Sequence, residues 1–246
     1  ASGRFGGCET FAARAGAAFG FGPSGGGHGG AVAERLRVPF ADHLLVRAPD
    51  GVPDEVLATV PDNVVDAYRT VAGPLAAMPG AEVLVVNALA PSIGLYAAAA
   101  ALALGSERVR YVDLDGDRMA IAEGFGAEVE QTPTPWPRRF DRAPITVDAT
   151  GDPAGLTAVL TSTEPYGFCT SAAIYFGDVP LPMLGMYTRG VTFHTSRADS
   201  RRYLPEVLDP VADGTLDPTV VPTTLVDWES ADGAWLSAAT KLVVKR

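Results

Sequence analysis

Lysine is almost missing from this chain: in 246 residues it occurs only as Lys241 and Lys245. Arginine carries nearly all the positive charge, and acids outnumber bases, giving a net charge of −10 and a pI of about 4.7. That balance argues against nucleic acid or an anionic membrane as the main partner. Cysteine is scarce as well. Cys8 and Cys169 make neither a disulfide framework nor a CxxC motif, which suits a reducing, cytoplasmic setting. The three histidines, His28, His43 and His194, have no metal-binding spacing to either cysteine. The apolar run Leu95–Leu104 falls far short of the roughly 20 residues that span a bilayer, and no charged-then-apolar signal opens the chain. There is no G-x-S-x-G elbow. GPSGGGHGG at 22–30 lacks the Lys-Ser/Thr ending of a phosphate loop and reads as a connection. DLDGD at 113–117 lacks the length and final acid of an EF-hand.

What is present is a globular composition, 47% hydrophobic and 20% charged, and long enough for one large or two modest domains. The segment Ala31–Val46 suggests short strands broken at Pro39. Asp54–Thr59 and Asn63–Val71 read as helices, each opened by an N-cap type residue. Strands then alternate with helices. Val83–Val86, Val109–Val112, Glu128–Glu130, Ile145–Val147, Gly167–Thr170 and Val191–His194 read as strands. Ile93–Leu104, Asp117–Phe125, Pro153–Leu160, Leu181–Tyr187 and Ser200–Val211 read as the intervening helices. TPTPWP at 132–137 must be a connection. This alternation predicts a doubly wound parallel sheet. Val220–Val226, Trp228–Ala239 and Lys241–Lys245 then read as strand, helix and strand, as if the chain returned to an earlier unit.

The most informative stretch is VLVVNALAPSIGLYAAAAALALGSERVRYVD, Val83 to Asp113. It reads as strand, turn, Ala-rich helix and a second strand ending in an acid, the first half of a dinucleotide-binding unit. The N-terminus of the helix offers free N–H groups and a favourable dipole to a pyrophosphate. Candidate contacts are Asn87, Ala88, Leu89, Ile93 and Gly94. Asn87 and Leu89 stand where glycine is expected, and Leu in particular tolerates positive φ poorly. Asp113 sits where an acid binds ribose hydroxyls, and a carboxylate there would repel a 2′-phosphate, so NAD is expected over NADP. Arg118 is placed to pack on the adenine or touch phosphate. Thr150 and Gly151, after a strand at the C-terminal edge of the sheet, are expected beside the second ribose.

The order of elements resembles the medium-chain, zinc-type alcohol dehydrogenases. RVPFADHLLVRAPDGV at 37–52 is similar to the last strands of that family's catalytic domain, and VPDNVVDAYRTV at 60–71 to the helix entering its coenzyme domain. The Val83–Asp113 stretch with DLDGDRMAIAEGFGAE resembles its coenzyme βαβ unit. VDATGDPAGL at 147–156 and the segment 190–218 resemble the second half of that unit. The resemblance implies a Rossmann-type doubly wound parallel sheet inserted into a partial GroES-like β-rich catalytic domain, with 67–215 as the dinucleotide domain and 1–66 plus 216–246 as the catalytic part. It implies an NAD(P)-dependent oxidoreductase passing hydride between an alcohol or carbonyl substrate and nicotinamide, acting as a homodimer. The backbones of segments 170–173 and 194–196, including Ser171 and Thr195, would meet the nicotinamide. Asp62 matches a position that can supply a zinc ligand, but only with a cysteine and a histidine from upstream of Ala1. With Cys8 alone where the family's structural zinc lobe has four cysteines, no structural zinc is expected. The half-built catalytic part leads us to expect a segment of a longer enzyme. The competing readings are a nucleotide-binding relative without zinc or catalysis, and a methyltransferase, which the return segment disfavours.

Overall fold

A computed structural model of the chain describes residues 27–132, 134–237 and 239–246. Its centre is a six-stranded parallel sheet in the order β3-β2-β1-β4-β5-β6. Leading into it are short helices α1 (Ala41–Leu44) and α2 (Asp54–Leu57), a widened turn at Val60–Val64, and helix α3 (Val65–Ala77). Then follow β1 (Val83–Asn87), α4 (Pro91–Ala103), β2 (Val109–Asp113), α5 (Gly116–Gly124) and β3 (Glu128–Gln131). The second half has β4 (Ala143–Ala149), α6 (Pro153–Ser162), β5 (Thr163–Ser171), α7 (Met183–Arg189), β6 (Thr192–Thr195) and α8 (Ser200–Ala212). Proline at the first turn of α4 and of α6 fits a position whose N–H would have no helical acceptor. Asp115 and Asp152 cap α5 and α6 through their side chains.

The central strands are apolar on both faces because each face carries a helical layer. Val83 and Val85 of β1 pack with α3, α4 and α8; Leu84 and Val86 pack with α6 and Met186 of α7. Every residue of β1 and β2 is buried. Helix α4 is buried almost all round, which explains its run of alanines: small side chains let it lie close to the sheet. Between β1 and β4 the chain reverses its winding direction. That point, at the carboxyl ends of the strands, is where such sheets bind ligands.

The reading of Ala31–Val46 as strands is wrong for this structure. Its 37–46 part forms coil and the single turn α1, with no buried residue in that turn, and among the described residues no strand pairs with it. His43 therefore lies on a helical turn, not a strand, and its carbonyl accepts from Arg201 Nε at 2.7 Å. The C-terminal reading needs adjustment too. Pro222 lacks an N–H, and the chain forms a short 3₁₀ turn at Pro218–Val220 before β7 (Thr224–Asp227). The expected helix at 228–239 shortens to a 3₁₀ turn and α9 (Ala231–Ala234). β8 (Leu242–Lys245) runs parallel to β7 as a separate two-stranded sheet.

A buried lysine ties this end to the main sheet. Lys241 Nζ donates to Tyr96 Oη on α4 at 2.5 Å and reaches the Pro218 carbonyl, to which Tyr96 also donates at 2.9 Å. Burial lowers the Lys241 pKa from 10.5 to about 8. Above that value the folded chain has already released a proton that the unfolded chain keeps, so stability rises with pH up to about 10.5. The expected gain is about 1 kcal/mol between pH 7 and pH 9. Urea titrations across that range check it, and Lys241→Met is expected to flatten the dependence.

Candidate functional site

The C-terminal edge of the sheet gathers most of the residues expected to be functional. At the first turn, Asn87 closes β1 fully buried, and Pro91 begins α4. From Asn87 to Gly94 the turn is two residues longer than a G-x-G-x-x-G loop. The N–H groups of Ala88 and Leu89 both donate to the Ala149 carbonyl, at 3.2 and 3.3 Å, so the turn bonds to β4 rather than facing outward. Gly94 N donates to the Ala90 carbonyl. The amides of Ser92 and Ile93 are left at the start of the helix to meet an anion. Ser92 Oγ also accepts from Asn63 Nδ2 at 2.8 Å, joining this helix to the entering segment.

Two side chains fill space that glycine would leave open. A Cβ on Gly94 would lie 2.6 Å from Asn87 Cγ, so the Asn87 side chain rests directly on the α4 backbone. Leu89, 64% exposed, lies over Gly151, where a Cβ would meet Leu89 Cδ2 at 2.3 Å. Gly151 also has a positive φ of 65°, so two constraints require glycine there.

Asp113 is the densest point of the site. It is completely buried at the end of β2. Its Oδ1 accepts from the amides of Leu114 at 2.7 Å and Asp115 at 3.0 Å. Its Oδ2 accepts from Tyr111 Oη at 2.6 Å and Asn87 Nδ2 at 2.7 Å. Arg118 adds a bidentate pair, Nη2 to Oδ1 at 2.5 Å and Nε to Oδ2 at 2.8 Å. Burial alone would raise the Asp113 pKa, but the bonds from Arg118, Tyr111 and Asn87 outweigh it, and the pKa is lowered. Burial first, then the neighbouring Asp113 charge, push the Tyr111 hydroxyl far up, so it stays a donor.

The equivalent hub on β4 is Asp148, also fully buried. Thr150 donates to Oδ1 through N at 3.1 Å and Oγ1 at 2.7 Å, and Ser171 Oγ and Tyr175 Oη donate to Oδ2 at 2.7 and 2.9 Å. The structure therefore brings Thr150 and Ser171 together around one carboxylate, with Gly151 next to Thr150. Thr195, at the end of β6, is exposed and pairs in register with Ser171. Asp148 and Tyr175 were not expected as site residues. An acid closing the apolar run ITVDA was the available signal. Arg69 was missed too. It is buried in α3, pairs with Asp66 at 2.5 Å, and donates to the Ser196 carbonyl at 2.9 Å. Its Nη1 has no partner among the described residues. Partial burial, then the charges of Arg69 and Arg202, lower the His194 pKa.

Asp62 lies exposed on the turn before α3. Among the described residues no group of three His, Cys, Asp or Glu side chains could hold a metal ion. Cys8 lies outside the described residues. Cys169 is buried and free on β5, where burial raises its pKa to about 12, so it is an inert core residue and not a thiolate ligand.

No family model matches the chain. A probable zinc-binding alcohol dehydrogenase of Mycobacterium tuberculosis is 27% identical over 226 residues, covering 87% of this chain and 56% of that protein. A zinc-type alcohol dehydrogenase B of Aspergillus flavus is 25% identical over 199 residues, covering 73% of this chain and 45% of that protein. The alcohol dehydrogenase TADH from Thermus sp. ATN1 superposes with a TM-score of 0.81 at 25% identity, over 92% of this chain and 70% of that one. The chain is similar to zinc-type alcohol dehydrogenases over most of its length. It spans about half the length of the curated relatives it matches. The six-stranded parallel sheet described above lies within the part of the chain that superposes on the Thermus alcohol dehydrogenase. No helix among the described residues is long and apolar enough to cross a membrane.

Proposed function

We propose that this chain is the coenzyme-binding part of an alcohol dehydrogenase-type oxidoreductase that uses a nicotinamide dinucleotide. The observation carrying this is the strand order 3-2-1-4-5-6, with β2 ending in Asp113 and β4 ending in Asp148-Ala149, followed by Thr150-Gly151, at the switch point. The likeness to zinc-type alcohol dehydrogenases over most of the chain supports it. We read 67–215 as the dinucleotide unit and 1–66 with 216–246 as parts of the catalytic unit.

The residues at this edge fit a dinucleotide in outline. The Ser92 and Ile93 amides would hold the pyrophosphate, Thr150 and Gly151 would flank the second ribose, and Ser171 and Thr195 would border the nicotinamide. When bound, the nicotinamide accepts or donates a hydride at C4. Within this chain, Asp148 fixes Thr150, Ser171 and Tyr175 in one network, which holds that end rigid. The same residues do not fit a catalytic zinc. Asp62 supplies one carboxylate, and a catalytic site needs three protein ligands.

A second reading, a nucleotide-binding relative without catalysis, is favoured by the turn amides bonded to Ala149 and by Leu89 over Gly151. Incubating the chain with NADH or NAD and a panel of alcohols and aldehydes tests both. Turnover establishes the first; no saturable binding of either coenzyme overturns both, and binding without turnover is common to the second reading and to a coenzyme-binding part that lacks the zinc ligands.

A homodimer in a reducing compartment completes the proposal. β6 forms an open sheet edge, and the segment between β5 and β6 exposes Phe176 at 95%, with Leu184 and Tyr187 also exposed. Sedimentation equilibrium is expected to give twice the chain mass, and Phe176→Asp with Tyr187→Asp to shift it to the monomer.

A further inference from the structure

We propose that Arg69 anchors the nicotinamide end of the coenzyme, its unpartnered Nη1 donating to the carboxamide oxygen. This rests on the reading of the sheet edge as a nicotinamide dinucleotide site. A doubly wound sheet is two mononucleotide-binding halves, and a dinucleotide lies across both. With the adenosine half over β1–β3, the nicotinamide half falls over the ends of β4, β5 and β6.

Arg69 reaches that end from helix α3. Its side chain is 1% exposed. Nε donates to Asp66 Oδ1 at 2.5 Å, and Nη2 donates to the Ser196 carbonyl at 2.9 Å. Nη1 is buried and has no acceptor among the described residues. Ser196 follows directly on β6, whose His194 and Thr195 pair with Thr170 and Ser171 of β5. The guanidinium therefore stands at the edge where the Asp148 network ends in Ser171.

A buried donor without an acceptor costs folding free energy, so an unmet N–H on a cation calls for a partner. Two arms of a planar fork are already fixed, which leaves the direction of the third set in advance. The carboxamide supplies what Nη1 lacks: a carbonyl oxygen, on the part of the coenzyme that arrives at this edge. A hydrogen bond from a cation to that oxygen is of the stronger, charge-assisted kind. Nη1 is closed to solvent in the chain without coenzyme. Residues 195–197 are exposed, and Ser196 lies in the coil between β6 and α8, so this side of the cover is a coil rather than packed core. Coenzyme entering along the end of β6 would shift that coil and bring its carboxamide to Nη1.

The test measures Kd by isothermal titration on the intact chain with three probes. These are NADH, ADP-ribose, which lacks the nicotinamide ring, and reduced thionicotinamide adenine dinucleotide, whose sulfur is a poor acceptor. Arg69→Lys keeps a cation for Asp66 but loses the planar fork. It is expected to weaken NADH about tenfold, the scale of one charge-assisted hydrogen bond, and to leave ADP-ribose within about twofold. Wild type is expected to bind the thio analogue about fivefold or more weakly than NADH, and Arg69→Lys to bind the two about equally. Equal losses of NADH and ADP-ribose in Arg69→Lys would make Arg69 a structural residue only and overturn the proposal. Unchanged NADH binding, the result if a buried water satisfies Nη1, also overturns it. If Arg69→Lys does not fold, the wild-type comparison decides: equal affinity for NADH and the thio analogue overturns the proposal. Binding of ADP-ribose alongside any of these results leaves the coenzyme site standing. If wild type binds neither NADH nor ADP-ribose, the proposal and the site reading fall together.

Discussion

Replacing Asp113 by alanine is expected to cost about 3–5 kcal/mol of folding stability, the scale for breaking a buried charge pair by removing one partner. The loss is large because the carboxylate is shared. Arg118 would remain as a half-buried cation without its bidentate acceptor, and Tyr111 Oη and Asn87 Nδ2 would be left facing each other in the core. Chemical denaturation of Asp113→Ala beside wild type checks this. A loss below 1 kcal/mol would mean the carboxylate is held loosely and is free to serve a ligand. The pair is also a source of acid sensitivity. The folded pKa of Asp113 is lowered, so its stabilisation is complete above the unfolded value near 3.9 and is lost as pH falls through the folded value. Asp113→Asn should remove that part of the acid dependence.

Restoring glycine at 87 and 89 together is expected to tighten NADH about tenfold, or about 1.4 kcal/mol. Two obstacles disappear at once. Without the Leu89 side chain, the backbone of Gly151 becomes accessible across the switch point. Without Asn87, the space against Gly94 opens and Asp113 Oδ2 loses one internal donor, so a ribose hydroxyl can take its place. The change should cost some stability, because glycine loses more backbone entropy on folding. Isothermal titration of the double variant with NADH measures the gain. Weaker binding than wild type would show that Asn87 and Leu89 belong to the coenzyme contact rather than obstruct it.

Much of the parallel sheet was legible in the sequence because its signals are local. Continuous apolar runs such as Val83–Val86, the Ala-rich pattern of α4, and caps such as Asp115 and Asp152 mark each element by itself. The network around Asp113 was not legible. It depends on Asn87 and Tyr111 reaching the same oxygen from adjacent strands, and no periodicity encodes that. The seat of Leu89 on Gly151 is likewise a contact between two loops far apart in the chain. The strands expected in Ala31–Val46 failed for another reason. The segment suggested short strands broken at Pro39, but a strand needs a neighbour to pair with, and none of the described strands pairs with it. In the return segment, Pro222 lies just before the shortened strand Thr224–Asp227, and the helix is reduced to Ala231–Ala234 after a 3₁₀ turn at Trp228–Ser230.

The most direct test of the account is a fluorescence titration of NADH into the intact chain, up to millimolar concentration. The account predicts saturable binding at one site per chain, displaced by 5′-AMP and strengthened by the Asn87→Gly, Leu89→Gly double variant. No saturable binding to either protein would contradict it, and would leave the sheet as a Rossmann fold without its coenzyme.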